Sequence, residues 1–208
     1  MPRVRPQHKG KHKRRQLIWG IAFLGILVIA IAALIGWHYS ARNYLRKQPL
    51  IDIPVLEWRI HELTNVQRRS QGIPELQFDD RLAEVARTHS QDMANRGFYQ
   101  HINLNGEDPT ARGEKLGYRC VKQYATHYTE GLSENLMHTY LYNSVLERGG
   151  ITLGYDWRTL EEIAKISVDG WMNSPGHRST LLTATYDREG IGVVISRDRE
   201  VFVTQNFC

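Results

Sequence analysis

His101 and His177 each follow a helix stop, Gly97 in the first case and Ser174-Pro175-Gly176 in the second. Loops mounted on a rigid scaffold let such side chains project into a cleft rather than into packing. Glu134, in GLSENL (Gly131 to Leu136), has apolar neighbours. A carboxylate buried there needs a cation, a hydrogen-bond donor or a metal beside it. Two neutral imidazoles and one carboxylate make a three-ligand set for zinc or another divalent ion, with an open position for water. The three come from distant parts of the chain, so spacing alone does not join them into a motif.

Other chemistries fit less well. His61 opens HELTN, which departs from the zinc-protease H-E-x-x-H by placing Asn65 where the second ligand must stand. His89 lies on the apolar face of a predicted helix and reads as a hydrogen-bonded core histidine. His127 and His138 have no pattern around them. No G-x-S-x-G occurs, and Ser174, in a helix-terminating turn, reads as a turn residue rather than a nucleophile. Cys120 and Cys208 lack any thiol-nucleophile signature, and no C-x-x-C is present.

Three amphipathic helices would position these groups. Leu56, Ile60, Leu63 and Val66 recur at helical spacing before Gly72 and Pro74. Asp79 or Asp80 caps a second helix, with Leu82, Val85, Ala86, His89 and Met93 on one face and Gly97 at its end. Thr159-Leu160-Glu161-Glu162 has the form of a capping box opening a third helix, whose buried face uses Ile163, Ile166, Gly170 or Trp171, and Met172. Gly190 to Ser196 and Val201 to Phe207 are β-branched and aromatic runs that predict an antiparallel hairpin. The less regular stretch between the second and third helices predicts a strand near Leu132 to Met137 and a short helix within Tyr140 to Arg148. Helices followed by a terminal hairpin argue for an α+β fold.

The formal charge of +5 is unevenly spread. Seven basic residues lie in the first fifteen positions with no acid among them, leaving 20 basic against 22 acidic residues, a net of −2, for the rest. The electrostatic footprint of a nucleic-acid binder is therefore missing. After the basic tail, Leu17 to Trp37 is 21 residues without a charge. As a helix it would be about 31 Å long, enough to cross a hydrocarbon core. A cleaved signal peptide would have a shorter apolar run and a small-x-small site, which Gly36-Trp37-His38-Tyr39 does not offer. The positive-inside rule places the N-terminus in the cytoplasm and the remainder outside. The resulting division is a basic tail over 1–16, one transmembrane helix over 17–39, a stalk over 40–54 and a single extracellular domain over 55–208. In that oxidising location Cys120 and Cys208 are expected to form a disulfide.

Four segments, in order, carry a family resemblance: HSQDMANRGFYQH (His89 to His101), GLSENL, GWMNSPGHRSTLL (Gly170 to Leu182) and GIGVVISRDREVFVTQNF (Gly190 to Phe207). Together they resemble the CAP superfamily of cysteine-rich secretory, antigen 5 and pathogenesis-related proteins, in its bacterial and archaeal SCP-like branch. The resemblance covers nearly all of Val55 to Cys208. It implies an α-β-α sandwich around a small antiparallel sheet, with a cleft where two histidines and two acids converge and where some members bind a divalent metal. His101 and His177 match the histidines and Glu134 the first acid. Ser174 stands three places after Trp171, where the second acid would be, so the fourth group is absent.

The expectation is a membrane-anchored domain at the cell envelope that binds a metal, lipid, peptide or other envelope ligand in this cleft. The alternative is a metal- or histidine-assisted hydrolase of peptides or envelope polymers, with Glu134 as base. A structural spacer, with dispensable histidines, is the third class. One fold hosts many functions, so the site must decide.

Overall fold

Asp52 accepts from the Val55 amide and, with Pro54 in the first turn, starts α1 (Ile53–Ser70) in a computed structural model that describes residues 24–34, 36, 44 and 47–208. The buried stripe of α1 is more polar than its periodicity predicts. Leu56 and Ile60 are buried, but so are Glu57, His61, Thr64, Asn65 and Arg68, whereas Leu63 is half-buried and Val66 exposed. The polar members are paired. Arg68 donates to the carbonyls of Pro74, Leu181, Thr183 and Tyr186, and His61 donates to Glu189 at 2.6 Å. Burial pushes the Glu189 carboxyl up.

After β1 (Gln77–Phe78), Asp79 caps α2 (Asp80–Arg96), and Gly97 ends it in the left-handed conformation with φ 67°. A positive φ is open to glycine without a Cβ penalty. A short helix, α3 (Pro109–Lys115), precedes the strands β2 (Val121–Gln123), β3 (Tyr128–Glu130), β4 (Ser133–Tyr140), β5 (Tyr142–Arg148) and β6 (Ile151–Trp157). The expected helix within 140–148 is therefore a strand. Gly149 and Gly150, both at positive φ, turn β5 back onto β6. Two consecutive left-handed glycines favour a tight hairpin over a continuing helix. The capping box at Thr159 opens α4 (Leu160–Asn173), followed by α5 (Pro175–Leu181), β7 (Arg188–Ile195) and β8 (Glu200–Phe207). The predicted terminal hairpin is thus present.

The main sheet has the order β1-β7-β8-β4, with β1 parallel to β7 and the other neighbours antiparallel. On one face α1 and α4 close a core containing Leu56, Ile60, Ile163, Trp171, Ile191, Val203 and Phe207. On the other face α2 lies directly against β7 and β8. The approach is so close that a Cβ on Gly192 would stand 2.0 Å from the Arg87 backbone nitrogen, and one on Gly190 2.1 Å from that of Ala83. Gly192→Ala is expected to push α2 off the sheet and cost about 3 kcal/mol, the upper end of ordinary overpacking. Urea unfolding checks this; an unchanged midpoint would show that the helix gives way freely.

Cys120 and Cys208 form the expected disulfide, with Cα atoms 5.5 Å apart, beside buried Leu82, Val85 and Tyr118. The predicted tail over 1–16 and most of the flanks of the predicted span lie outside the described residues. Within the span, residues 24–34 are helical, and Leu24, Ile26, Leu27, Val28, Ile29, Ile31 and Leu34 are 47–69% exposed. Among the described residues no helix is long and apolar enough to cross a membrane.

Candidate functional site

Strand β4 forms one edge of the main sheet, and its alternation puts consecutive side chains on opposite faces. Glu134 turns toward α2, and its side chain is 1% exposed. It accepts from His101 Nδ1 at 2.9 Å and from Arg112 Nη2 at 2.5 Å, one bond on each carboxylate oxygen. Arg112, on α3, also donates to the His101 carbonyl at 2.7 Å and to the Glu107 carbonyl at 2.9 Å. One guanidinium therefore ties the loop carrying His101 to the edge strand. Asn135 faces the other way. Its side chain donates to the His177 carbonyl and to Gln205 Oε1, each at 3.2 Å.

His177 lies in the first turn of α5 rather than in the open loop expected. Ser174 is at once the last boundary of α4 and the first of α5, so the Ser-Pro-Gly break redirects the helix. Ser174 is half-buried, while Trp171 behind it is fully buried and donates to the Leu136 carbonyl at 2.9 Å. Burial lowers the His177 pKa, and the nearby charge of His101 lowers it further. His101 and Glu134 thus meet directly, whereas His177 is tied by its carbonyl to Asn135, the next residue of β4, and its ring is linked to His101 electrostatically.

His89 is a core histidine, as its position on the apolar face implies. Its Nε2 donates to the Gln100 carbonyl at 3.0 Å and lies 3.9 Å from Glu134. Burial lowers its pKa against the pull of the Glu134 charge. The Tyr99 hydroxyl, partly desolvated and near the same carboxylate, is pushed up to about 12 although its residue is 44% exposed. Because folding lowers the His89 pKa, the unfolded chain binds its proton first as pH falls through the ordinary histidine value of about 6.5. Its contribution is complete above that value and lost on the way down, by up to about 1.4 kcal/mol per pH unit for one proton. Urea midpoints from pH 7.5 to 5.5 should therefore fall more steeply for the native chain than for His89→Gln. Equal slopes would remove His89 as the source.

Each oxygen of Glu134 already has a donor, and a guanidinium occupies the side where a cation would need to approach. Among the described residues no group of three or more His, Cys, Asp or Glu side chains is disposed to hold a metal ion. The residues as arranged do not fit the three-ligand zinc set. They do form a carboxylate–imidazole dyad. Glu134 fixes the proton on His101 Nδ1, leaving Nε2 as the basic nitrogen, on a side chain 50% exposed.

A groove of about 700 Å³ reaches the cluster from behind, through His89 and Arg112, and neither His101 nor His177 lines it. Arg112 and Asn135 complete the cluster, and neither is marked out by the sequence. The need of Glu134 for a cationic partner is a sequence signal, but nothing in DPTARGEK (Asp108 to Lys115) ties Arg112 to it.

An α-β-α sandwich whose edge strand holds a histidine-bearing loop on one face and a histidine-bearing helix on the other defines an SCP-type domain. Residues 61–207 match the family model of the cysteine-rich secretory protein family (CAP), and the chain belongs to that family. It is 28% identical over 144 residues to the uncharacterized protein YkwD of Bacillus subtilis, and 30% identical over 151 residues to the uncharacterized membrane protein YlbC of the same organism. These alignments cover 69% and 73% of the chain but only 44% and 34% of the relatives. An extracellular SCP-domain protein of Bacillus anthracis superposes with a TM-score of 0.53 at 23% identity, over 77% of this chain and 44% of that one. An outer surface protein of Borrelia burgdorferi superposes with 0.55 at 19% identity, over 77% of this chain and 97% of its own. Both share the fold.

Proposed function

We propose that the chain is an envelope protein, anchored by the apolar segment over 17–39, whose extracellular CAP domain binds a polar envelope, lipid or peptide ligand between His101 and His177. The observation that carries this reading is the dyad. A buried carboxylate, held rigid by Arg112, fixes the tautomer of a half-exposed imidazole and so presents one defined acceptor nitrogen to the outside. Pre-set polar groups of this kind orient a ligand. The exposed apolar side chains over 24–34, the basic tail before them, and the similarity to the membrane protein YlbC support the anchor.

The same dyad favours a second reading, hydrolysis, with the base reassigned. Glu134 is too buried and too committed to act on a substrate, whereas His101 Nε2, oriented by it, can take a proton from water.

The test is sedimentation of the full chain in detergent with isolated cell-envelope fractions, beside elemental analysis and an ester and peptide hydrolysis screen with and without chelator. His101→Ala with His177→Ala is expected to weaken envelope binding at least about tenfold, the equivalent of one good hydrogen bond to a ligand. Hydrolysis lost in His101→Ala but indifferent to chelator would establish the second reading. Stoichiometric metal that either substitution removes would replace both with a metal centre. Variants that bind like the parent would leave the cleft a structural feature only.

A further inference from the structure

The groove behind the dyad carries polar groups that the dyad does not use. Its inner end is made by His89 and Arg112, which are 0% and 4% exposed. Each keeps one buried polar atom without a partner among the described residues, Nδ1 of His89 and Nε of Arg112. Their needs are opposite. His89 donates from Nε2 to the Gln100 carbonyl, so its Nδ1 is a bare acceptor, while Arg112 Nε carries a hydrogen to give. Buried polar groups are seldom left in this condition. A ligand that satisfies both must accept and donate side by side, which a hydroxyl does from one oxygen.

The walls extend the pattern outward. On α2, Asn95 accepts from Gln91 with Oδ1, and in the loop ahead of α3, Asn105 accepts from Arg96 with Oδ1. Both residues are exposed, and the Nδ2 donors of both meet no acceptor among the described residues. Asp92 lines the same groove and accepts from Arg96 at 3.3 and 3.4 Å, long bonds that leave it free to accept more. Asn103 Oδ1 accepts from the amides of Asn105 and Glu107, so the loop wall is set before any ligand arrives.

Charge narrows the class of ligand. Each charged side chain described along the groove is already in an ion pair: Arg87 with Glu57, Asp92 with Arg96, Glu107 with Lys115, and Arg112 with Glu134. A phosphate or an ammonium finds no unpaired counter-charge there. A neutral ligand rich in hydroxyls needs none. Leu116, 41% exposed on the same wall, suits the C–H face of a sugar ring. The volume of about 700 Å³ is that of a small-ligand site.

We propose that this groove is a second binding site, distinct from the His101–His177 cleft, and that it takes a short uncharged saccharide. One sugar hydroxyl enters the inner end, accepting from Arg112 Nε and donating to His89 Nδ1. Its neighbours accept from Asn95 and Asn105 and donate to Asp92. The inference does not depend on what the cleft binds.

The full chain, in a detergent without a sugar headgroup, is offered maltotriose, cellotriose and chitotriose at millimolar concentration, with inorganic phosphate as the charged comparison. Saturation-transfer NMR reads contact, and titration gives affinity. At least one trisaccharide is expected to bind. Asn95→Ala with Asn105→Ala, both at the exposed rim, should fold like the parent and weaken that binding at least about tenfold, the equivalent of two modest hydrogen bonds. His89→Phe keeps a ring but removes the acceptor, and should weaken it further, with the thermal midpoint separating a folded variant from an unfolded one. No transfer to any trisaccharide would overturn the site. So would binding that the rim variant leaves unchanged, or binding that His101→Ala abolishes, which would put the sugar in the cleft. Phosphate bound in preference to all the sugars would assign the groove to an anion and overturn the saccharide equally.

Discussion

Arg112→Met is expected to destabilise the domain by about 3–5 kcal/mol, the usual cost of removing one partner from a buried ion pair. Both side chains are almost fully buried, and the substitution leaves the Glu134 carboxylate with His101 alone to satisfy it. It also frees the carbonyls of His101 and Glu107, which Arg112 holds together with the strand. Glu134→Gln strands the opposite charge and should cost a similar amount. The double variant should be more stable than the sum of the two losses predicts, because neither charge then remains alone. Urea unfolding of the four proteins completes the cycle. A loss below about 1 kcal/mol for Arg112→Met, the size of an exposed pair, would show that solvent reaches the cluster.

Cys208→Ala with Cys120→Ala is expected to cost about 4 kcal/mol. The bridge spans a sequence separation of 88 residues, and the chain-entropy model assigns about that much to a loop of this length. The bridge also pins the segment leading into β2 to the end of β8, inside a small cluster with Leu82, Val85 and Tyr118. Reduction of the native chain should therefore lower its thermal midpoint and give a thiol count of two per chain. An unchanged midpoint with both thiols titrating would sink the prediction.

Much of this architecture is written in local signals. The caps at Asp79 and Thr159, the stop at Gly97 and the β-branched runs after Gly190 each depend on neighbours in sequence, and each appears at its expected place. Glu134 is legible in the same way, since an acid among apolar residues must find a donor. The failures share a cause. The buried polar stripe of α1 depends on partners outside the helix, several of them more than a hundred residues away, such as Leu181 for Arg68 and Glu189 for His61. The aromatic and aliphatic residues over 142–148 suit either a helix or a strand, and the deciding weight belongs to Gly149-Gly150 beyond them. Arg112 escapes because its role is set by tertiary geometry, on a helix of seven residues with no apolar stripe of its own.

The order of strands along the chain has a consequence for how the domain is made. β8 sits between β7 and β4, although it is synthesised after both. Its partner β4 is written far earlier, with Tyr140 opposite Glu200 and Ser133 opposite Phe207. Until residues 200–207 are available, β4 has no place in the main sheet, and the strand bearing Glu134 is an unpaired edge. Such non-local pairing is slow to form, and an unpaired edge is prone to stick to other chains. A ribosome or export channel delivering this chain from its N-terminus would therefore release the helices first and the means of assembling the sheet last. The site assembles as a late event of folding, when β8 slots between strands already waiting for it.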